Sequence, residues 1–231
     1  MWSRNVPMDI SGTNKQRRSG RRRYYGRRRR RNPGRQALKE VRQVKKVLER
    51  QTNLKSRTTL INGLPIASGT NQITSLVCMP RGDTNMLREG DKITLKNVTW
   101  RFSMQLDTAE ANPTVVRFIL VYDRRPNGTQ AAIDDVLNGT NVYGLMNLSE
   151  DQRGRFQILH DQFWTMATGG TEVVYEKGFK DMKNKRVLYD ATAGDITDVQ
   201  QGNFFALFTA QMNSANVICN GWIRIRFVDD S

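Results

Sequence analysis

The chain has 231 residues, with 37 Lys and Arg against 22 Asp and Glu, a formal net charge of +15, two cysteines and one histidine. That balance points to a polyanionic partner, and it leaves disulfide-stapled scaffolds, Cys/His metal centres and His-dependent catalysis without material. No apolar run approaches the roughly 18 residues that a membrane-crossing helix needs, and Met1–Ile10 lacks the apolar stretch of a secretory signal.

The charge is unevenly placed. Residues 1–57 carry 20 Lys and Arg against 3 Asp and Glu, a net of +17, whereas the remaining 174 residues carry 17 against 19, a net of −2. A basic tail on a nearly neutral body is the expected organisation. The tail's centre reads Arg17, Arg18, Arg21, Arg22, Arg23, Tyr24, Tyr25, then Arg27, Arg28, Arg29, Arg30 and Arg31. Like charges this dense repel, and too few apolar groups are present to offset the entropy of folding, so residues 1–34 are expected to be a disordered arm. Each guanidinium can fork onto phosphate oxygens, and the two tyrosines can stack on unpaired bases. The pattern favours single-stranded nucleic acid held by phosphate neutralisation rather than by base reading. The same run has the composition of a nuclear-import signal, so a host import receptor is a second expected partner.

Residues 35–57 form a basic helix and linker. Pro33-Gly34 punctuates the start, and Ala37, Val41, Val44 and Leu48 recur at 4-3-4 spacing along one stripe. Arg35, Lys39, Arg42, Lys45 and Lys46 extend the candidate nucleic-acid contacts onto this helix. The apolar stripe is narrow; it suits either a small helical bundle between subunits or docking on the chain's own domain.

From residue 58 the pattern turns to β, with Val, Ile, Thr and aromatic runs separated by Gly, Asn, Asp and Pro. Expected strands are 58–77 (interrupted over 63–69), 92–107, 113–123, 154–167, 171–180, 184–190, 203–212 and 216–228. A short helix of one or two turns is expected over Ala131–Leu137. Strict alternation marks 94–104 and 217–227, where Ile223, Ile225 and Phe227 oppose Arg224 and Arg226. Eight strands in one domain, 58–231, with long loops at 78–91 and 124–153, favour an all-β fold: a single eight-stranded jelly-roll sandwich.

Site chemistry is sparse. His160 lacks partners for a triad or zinc site, and no phosphate-binding glycine motif occurs. Asp134-Asp135 and Asp229-Asp230 are acidic pairs that could meet calcium between subunits, and Arg81-Gly82-Asp83 is a possible receptor tripeptide in a loop. No enzyme and no cofactor are expected.

The run Val116-Arg117-Phe118-Ile119-Leu120-Val121-Tyr122-Asp123-Arg124-Arg125-Pro126-Asn127-Gly128 resembles a segment in coat proteins of small circular single-stranded DNA viruses that encode a replication initiator, including geminiviruses. Arg153-Gly154-Arg155-Phe156-Gln157-Ile158-Leu159, the following Gly169-Gly170 and the ending from Ile223 to Ser231 resemble further blocks of those coats in order and spacing. The resemblance implies a jelly-roll coat protein, of the architecture also seen in satellite tobacco necrosis virus. It also implies icosahedral self-assembly, arms on an encapsidated single-stranded DNA genome, and a stage in the host nucleus.

The expected function is therefore that of a capsid protein residing in the virion. About sixty copies would form an icosahedral shell, packaging single-stranded DNA, with RNA possible by the arm's chemistry alone. Sixty arms of net +17 bring on the order of a thousand positive charges, enough to match about a kilobase of single strand. The alternative is a cellular nucleic-acid-binding protein of ribosomal or chromatin type with a basic tail.

Overall fold

Residues 33–52, 54–67, 72–106, 113–211 and 217–229 are described in a computed structural model, which divides into one unit up to Val44 and another from Lys45 to Ser231. The helix α1 spans Pro33–Thr52, two residues earlier than expected. Pro33 sits in its first turn, where a missing N–H costs nothing and the ring already fixes a helical φ.

The second unit holds the strands: β1 (Leu54–Ile66), β2 (Gln72–Ser75), β3 (Lys92–Leu106), β4 (Thr114–Asp123), β5 (Phe156–Met166), β6 (Val173–Tyr189), β7 (Val199–Gln201), β8 (Asn203–Ala210) and β9 (Val217–Asp229), with the one-turn helix α2 (Ile133–Val136) between β4 and β5. They form a five-stranded sheet, β1-β9-β3-β6-β7, and a four-stranded sheet, β2-β8-β4-β5. All the pairings are antiparallel, and the chain passes repeatedly from one sheet to the other. This is a jelly-roll-like sandwich.

Nine strands among the described residues stand where eight were expected. Two of the expected strands, 171–180 and 184–190, are one: β6 pairs with β3 from Val173 to Leu188. The polar break between them is real, since Lys183 and Asn184 have φ of 49° and 57°. It is absorbed as a bulge opposite Lys96, so the partner strand carries the pairing across. The region 58–77 conversely divides into β1, starting four residues early at Leu54, and β2. The short β7, pairing only at the end of β6, has no counterpart among the expected strands because three residues carry no readable period.

The main core lies between the sheets. Trp100, Phe102, Phe118 and Phe208 meet with ring centroids 4.9–5.8 Å apart, mostly tilted or edge-on, the favoured aromatic geometry. Ile223, Ile225 and Phe227 join this core, as their alternation requires. A second cluster covers the other face of the four-stranded sheet: Ile133, Val136 and Leu137 around α2 pack with Ile119, Val121, Phe205 and Leu207. Central strands β4 and β8 are therefore apolar on both faces, and β8 is buried at every residue.

Gly202 connects β7 to β8 at φ 79°. A Cβ there would overlap the Arg186 carbonyl oxygen, which also accepts the Tyr122 hydroxyl hydrogen bond at 2.6 Å. Gly202→Ala is expected to lower unfolding stability by at least about 1–3 kcal/mol, the usual cost of a strained backbone residue. A urea midpoint unchanged from the parent would refute that account.

Candidate nucleic-acid interface

Helix α1 sorts its residues by side. Among the described side chains Lys39 and Arg42 share one side, while Ala37, Val41 and Val44 lie on the opposite side; Arg35, Lys46 and Leu48 lie outside the described side chains. Lys39, Arg42 and Lys45 are exposed. Leu38, Val41 and Val44 are exposed by 55, 65 and 58%, an apolar surface that a lone helix in water would not favour. The arm residues Arg17, Arg18, Arg21, Arg22, Arg23, Tyr24, Tyr25 and Arg27 through Arg31 lie outside the described residues.

Several cations of the body are committed to its architecture. Arg155 donates through Nε and Nη2 to the Asp123 carboxylate at 2.8–3.1 Å, with Asp123 almost wholly buried. Its Nη2 also reaches Asn127, at 3.3 Å, and its guanidinium lies over the Phe156 ring. Arg117 grips Asp161 with two bonds of 2.8 and 2.7 Å and donates to the carbonyls of Val142 and Gly144, fastening the long loop onto the sheet. Arg88 is fully buried and donates to the carbonyls of Met79, Gly90 and Ala191. Lys55 bridges Glu89 and Asp229 at 2.6 and 2.9 Å. These groups are anchors, and sequence reading could not separate them from contact residues because their partners lie far away in the chain.

The other residues singled out in the sequence take structural places. Asp135 caps α2 by accepting the Ala132 N–H at 2.8 Å, and Asp229 is held by Lys55. Arg81, Gly82 and Asp83 lie in a loop, with Arg81 3.7 Å from Asp91. Among the described residues, no group of three or more His, Cys, Asp or Glu is placed to hold a metal ion, and no helix is long and apolar enough to cross a membrane. Cys78 and Cys219 are free thiols; burial pushes Cys219 up to about 12.

His160 packs against Trp100 and Phe118 with ring centroids 4.7 and 5.7 Å away, and its Nε2 is buried without a hydrogen-bond partner. Burial holds its pKa below the ordinary 6.5. The folded state therefore favours the neutral ring more than the unfolded state does. This contribution to stability is present above about pH 6.5 and is lost as pH falls through the depressed folded value. His160→Leu is expected to flatten the loss of stability between pH 6.5 and 5 in thermal melts; an unchanged slope would remove His160 as its source.

Comparison with known proteins bears on what such an arm and body do together. The family model described as satellite tobacco necrosis virus coat protein matches residues 26–229. A coat protein of Maize white line mosaic Satellite virus is 25% identical over 191 residues, covering 82% of this chain and 88% of the relative. Among solved structures, one titled desmodium yellow mottle tymovirus aligns with TM-score 0.32 and 14% identity, covering 75% of this chain and 86% of that one. A chain from a structure of deformed wing virus carrying the GFP gene aligns with TM-score 0.22 and 13% identity, covering 98% and 88%. Neither of these two alignments is close enough to carry weight.

These findings overturn the expected kinship with coats of small circular single-stranded DNA viruses, geminiviruses included, and with it the single-stranded DNA genome as partner. The matched coats are those of RNA viruses. The structure shows why the resembling blocks misled. Asp123 and Asn127 from one block grip Arg155 from the other, so these residues clamp β4 to the start of β5. Such a clamp belongs to the packing of the sandwich and carries no information about the nucleic acid.

Proposed function

Because the chain belongs to the satellite tobacco necrosis virus coat protein family, we propose that it self-assembles into a small icosahedral shell and holds a single-stranded RNA genome on its N-terminal arm. It is a viral coat protein and not an enzyme; its place is the virion. The observation that carries the proposal is the extent of the family match, which begins at Gly26 within the arginine run and continues through α1 to the last strand. Arm, helix and sandwich thus belong to one matched unit.

The arm supplies the polycation and the sandwich the building block. About sixty copies close a shell of the simplest icosahedral kind, and their arms gather charge that no single arm could. Contacts along the exposed apolar stripe of α1 would bring helices of neighbouring copies together, leaving Lys39 and Arg42 on the opposite side for phosphates. The basic run also has the composition of a nuclear-import signal, so an import receptor and a nuclear stage form a separable part of the proposal.

Electron microscopy of the purified full-length chain mixed with single-stranded RNA tests it. Uniform shells roughly 15–25 nm across are expected, of the size that about sixty subunits enclose. A monomer that stays monomeric with RNA present would overturn the assembly reading.

A further inference from the structure

One face of the five-stranded sheet carries chemistry that neither the core nor the ion-pair anchors use. Alternation along β9 sends Ile223, Ile225 and Phe227 inward and turns Trp222, Arg224 and Arg226 outward. Cross-strand register then lines up residues 41 or more positions apart in sequence. Leu60 faces Trp222, Trp222 faces Arg101, and Arg101 faces Lys177. In flanking rows Arg224 and Thr99 run to Phe179, and Asn220 and Ser103 run to Tyr175. Tyr175 is 82% exposed and Phe179 63%. A groove of about 510 Å³ opens between these rows, lined by Arg101, Ser103, Tyr175, Lys177, Asn220 and Trp222, with Glu176 as its single carboxylate.

The charge of this face is uncompensated. Among the described residues no carboxylate lies within 4.0 Å of the cationic nitrogens of Arg101, Lys177, Arg224 or Arg226. Glu176 is engaged at 3.4 Å by the Trp100 indole N–H, and Asp181 stands at the far end of the Arg226 row. Arg224 is preset: its Nε donates to Thr58 Oγ1 at 2.8 Å while its guanidinium lies over the Trp222 ring, 5.3 Å from the centroid. The body's overall net of −2 therefore hides a locally cationic, aromatic surface.

We propose that this face, centred on the Tyr175–Arg101–Trp222 groove, is a second site for single-stranded RNA, in which unpaired bases stack on Tyr175 and Trp222 while Arg101, Lys177, Arg224 and Arg226 take the phosphates. The proposal rests on the reading of the chain as an RNA-packaging coat protein. Aromatics interleaved with unpaired cations are what a sequence-tolerant single-strand site requires, because every base has a π-face and every nucleotide a phosphate. Tyr175 and Trp222 stand two strands apart and two residues out of register, roughly 12 Å, which leaves each ring free to stack on its own base.

The test compares an oligouridylate with an abasic ribose-phosphate strand of equal length, bound to the full-length chain at about 0.5 M salt, where phosphate neutralisation by the arm is weakened. The parent should prefer the base-bearing strand by on the order of tenfold for each body aromatic engaged. Tyr175→Ser with Trp222→Ser, which leaves every cation in place, should remove that part of the preference. Tyr175→Ser alone suffices if the double variant fails to fold, since Tyr175 is 82% exposed. An unchanged preference in folded variants overturns the site and leaves arm-based packaging intact. Loss of shell formation with the preference unchanged also overturns it, because the face is then a contact between copies. A parent chain that binds neither strand, even at low salt, removes the packaging reading itself.

Discussion

Removal of residues 1–34 is expected to weaken binding to single-stranded RNA by about a thousandfold or more at low salt, while the sandwich stays folded. The size follows from counterion release: neutralising Z phosphates of a single strand gives a slope of about −0.7Z in log K against log salt. If about ten of the arm's cations engage phosphates, the full-length chain shows a slope near −7 from the arm alone. The truncated chain keeps α1 and the outward sheet face, so a shallow residual slope of about −3 to −5 remains, reflecting the helix cations together with Arg101, Lys177, Arg224 and Arg226 of that face. The fold should survive because the sandwich core draws on residues from Ile61 onward. Titration with a fluorescent oligoribonucleotide at several salt concentrations measures both quantities. Equal slopes for the two proteins would take the arm out of RNA binding.

The second large effect is structural. Asp123→Ala is expected to cost about 3–5 kcal/mol, the penalty for leaving the buried partner charge uncompensated. Asp123 accepts three bonds from Arg155 and one, at 3.0 Å, from the Arg125 backbone N–H. Its removal strands a guanidinium that is itself nearly buried. Against a total of about 5–15 kcal/mol for a domain, such a loss can unfold a subunit before it assembles. Replacing both partners by apolar residues, Asp123→Leu with Arg155→Met, should recover much of the loss, because both desolvation costs are then removed. Urea unfolding of the single and double variants measures the difference. A single-variant loss below about 1 kcal/mol would mean that the pair behaves like an exposed surface bridge.

How far each element could be read from the sequence depended on how many of its faces meet water. Strands β3 and β9 were legible as alternation because one face packs on the opposite sheet while the other is open. Strands β4 and β8 were legible only as apolar runs, since α2 and its flanks cover their outer face. The single strand β6 looks like two in sequence because Lys183 and Asn184 adopt turn-like dihedrals, and only the partner strand β3 keeps the pairing continuous. The candidate interface divides in the same way. The arm and helix cations are adjacent in sequence and stood out by density. The groove on the five-stranded sheet brings together Arg101, Tyr175 and Trp222, which no local window contains.

Charge density and two-residue periodicity are local properties, so the order of residues alone sets the polarity of the molecule, a strongly basic N-terminal segment followed by an almost neutral β body. The same local spacing makes residues 35–51 legible as a helix with an apolar stripe among basic residues. Which cations are anchors and which face outward without a carboxylate depends on the folded chain. Arg117 and Arg155 are held by buried or half-buried carboxylates across strands and loops, while Arg101 and Arg226 face outward without one. That distinction depends on which distant residues register and burial place within a few ångströms. An arginine's neighbours in sequence do not reveal it, since the strand pairing that selects its partner is non-local.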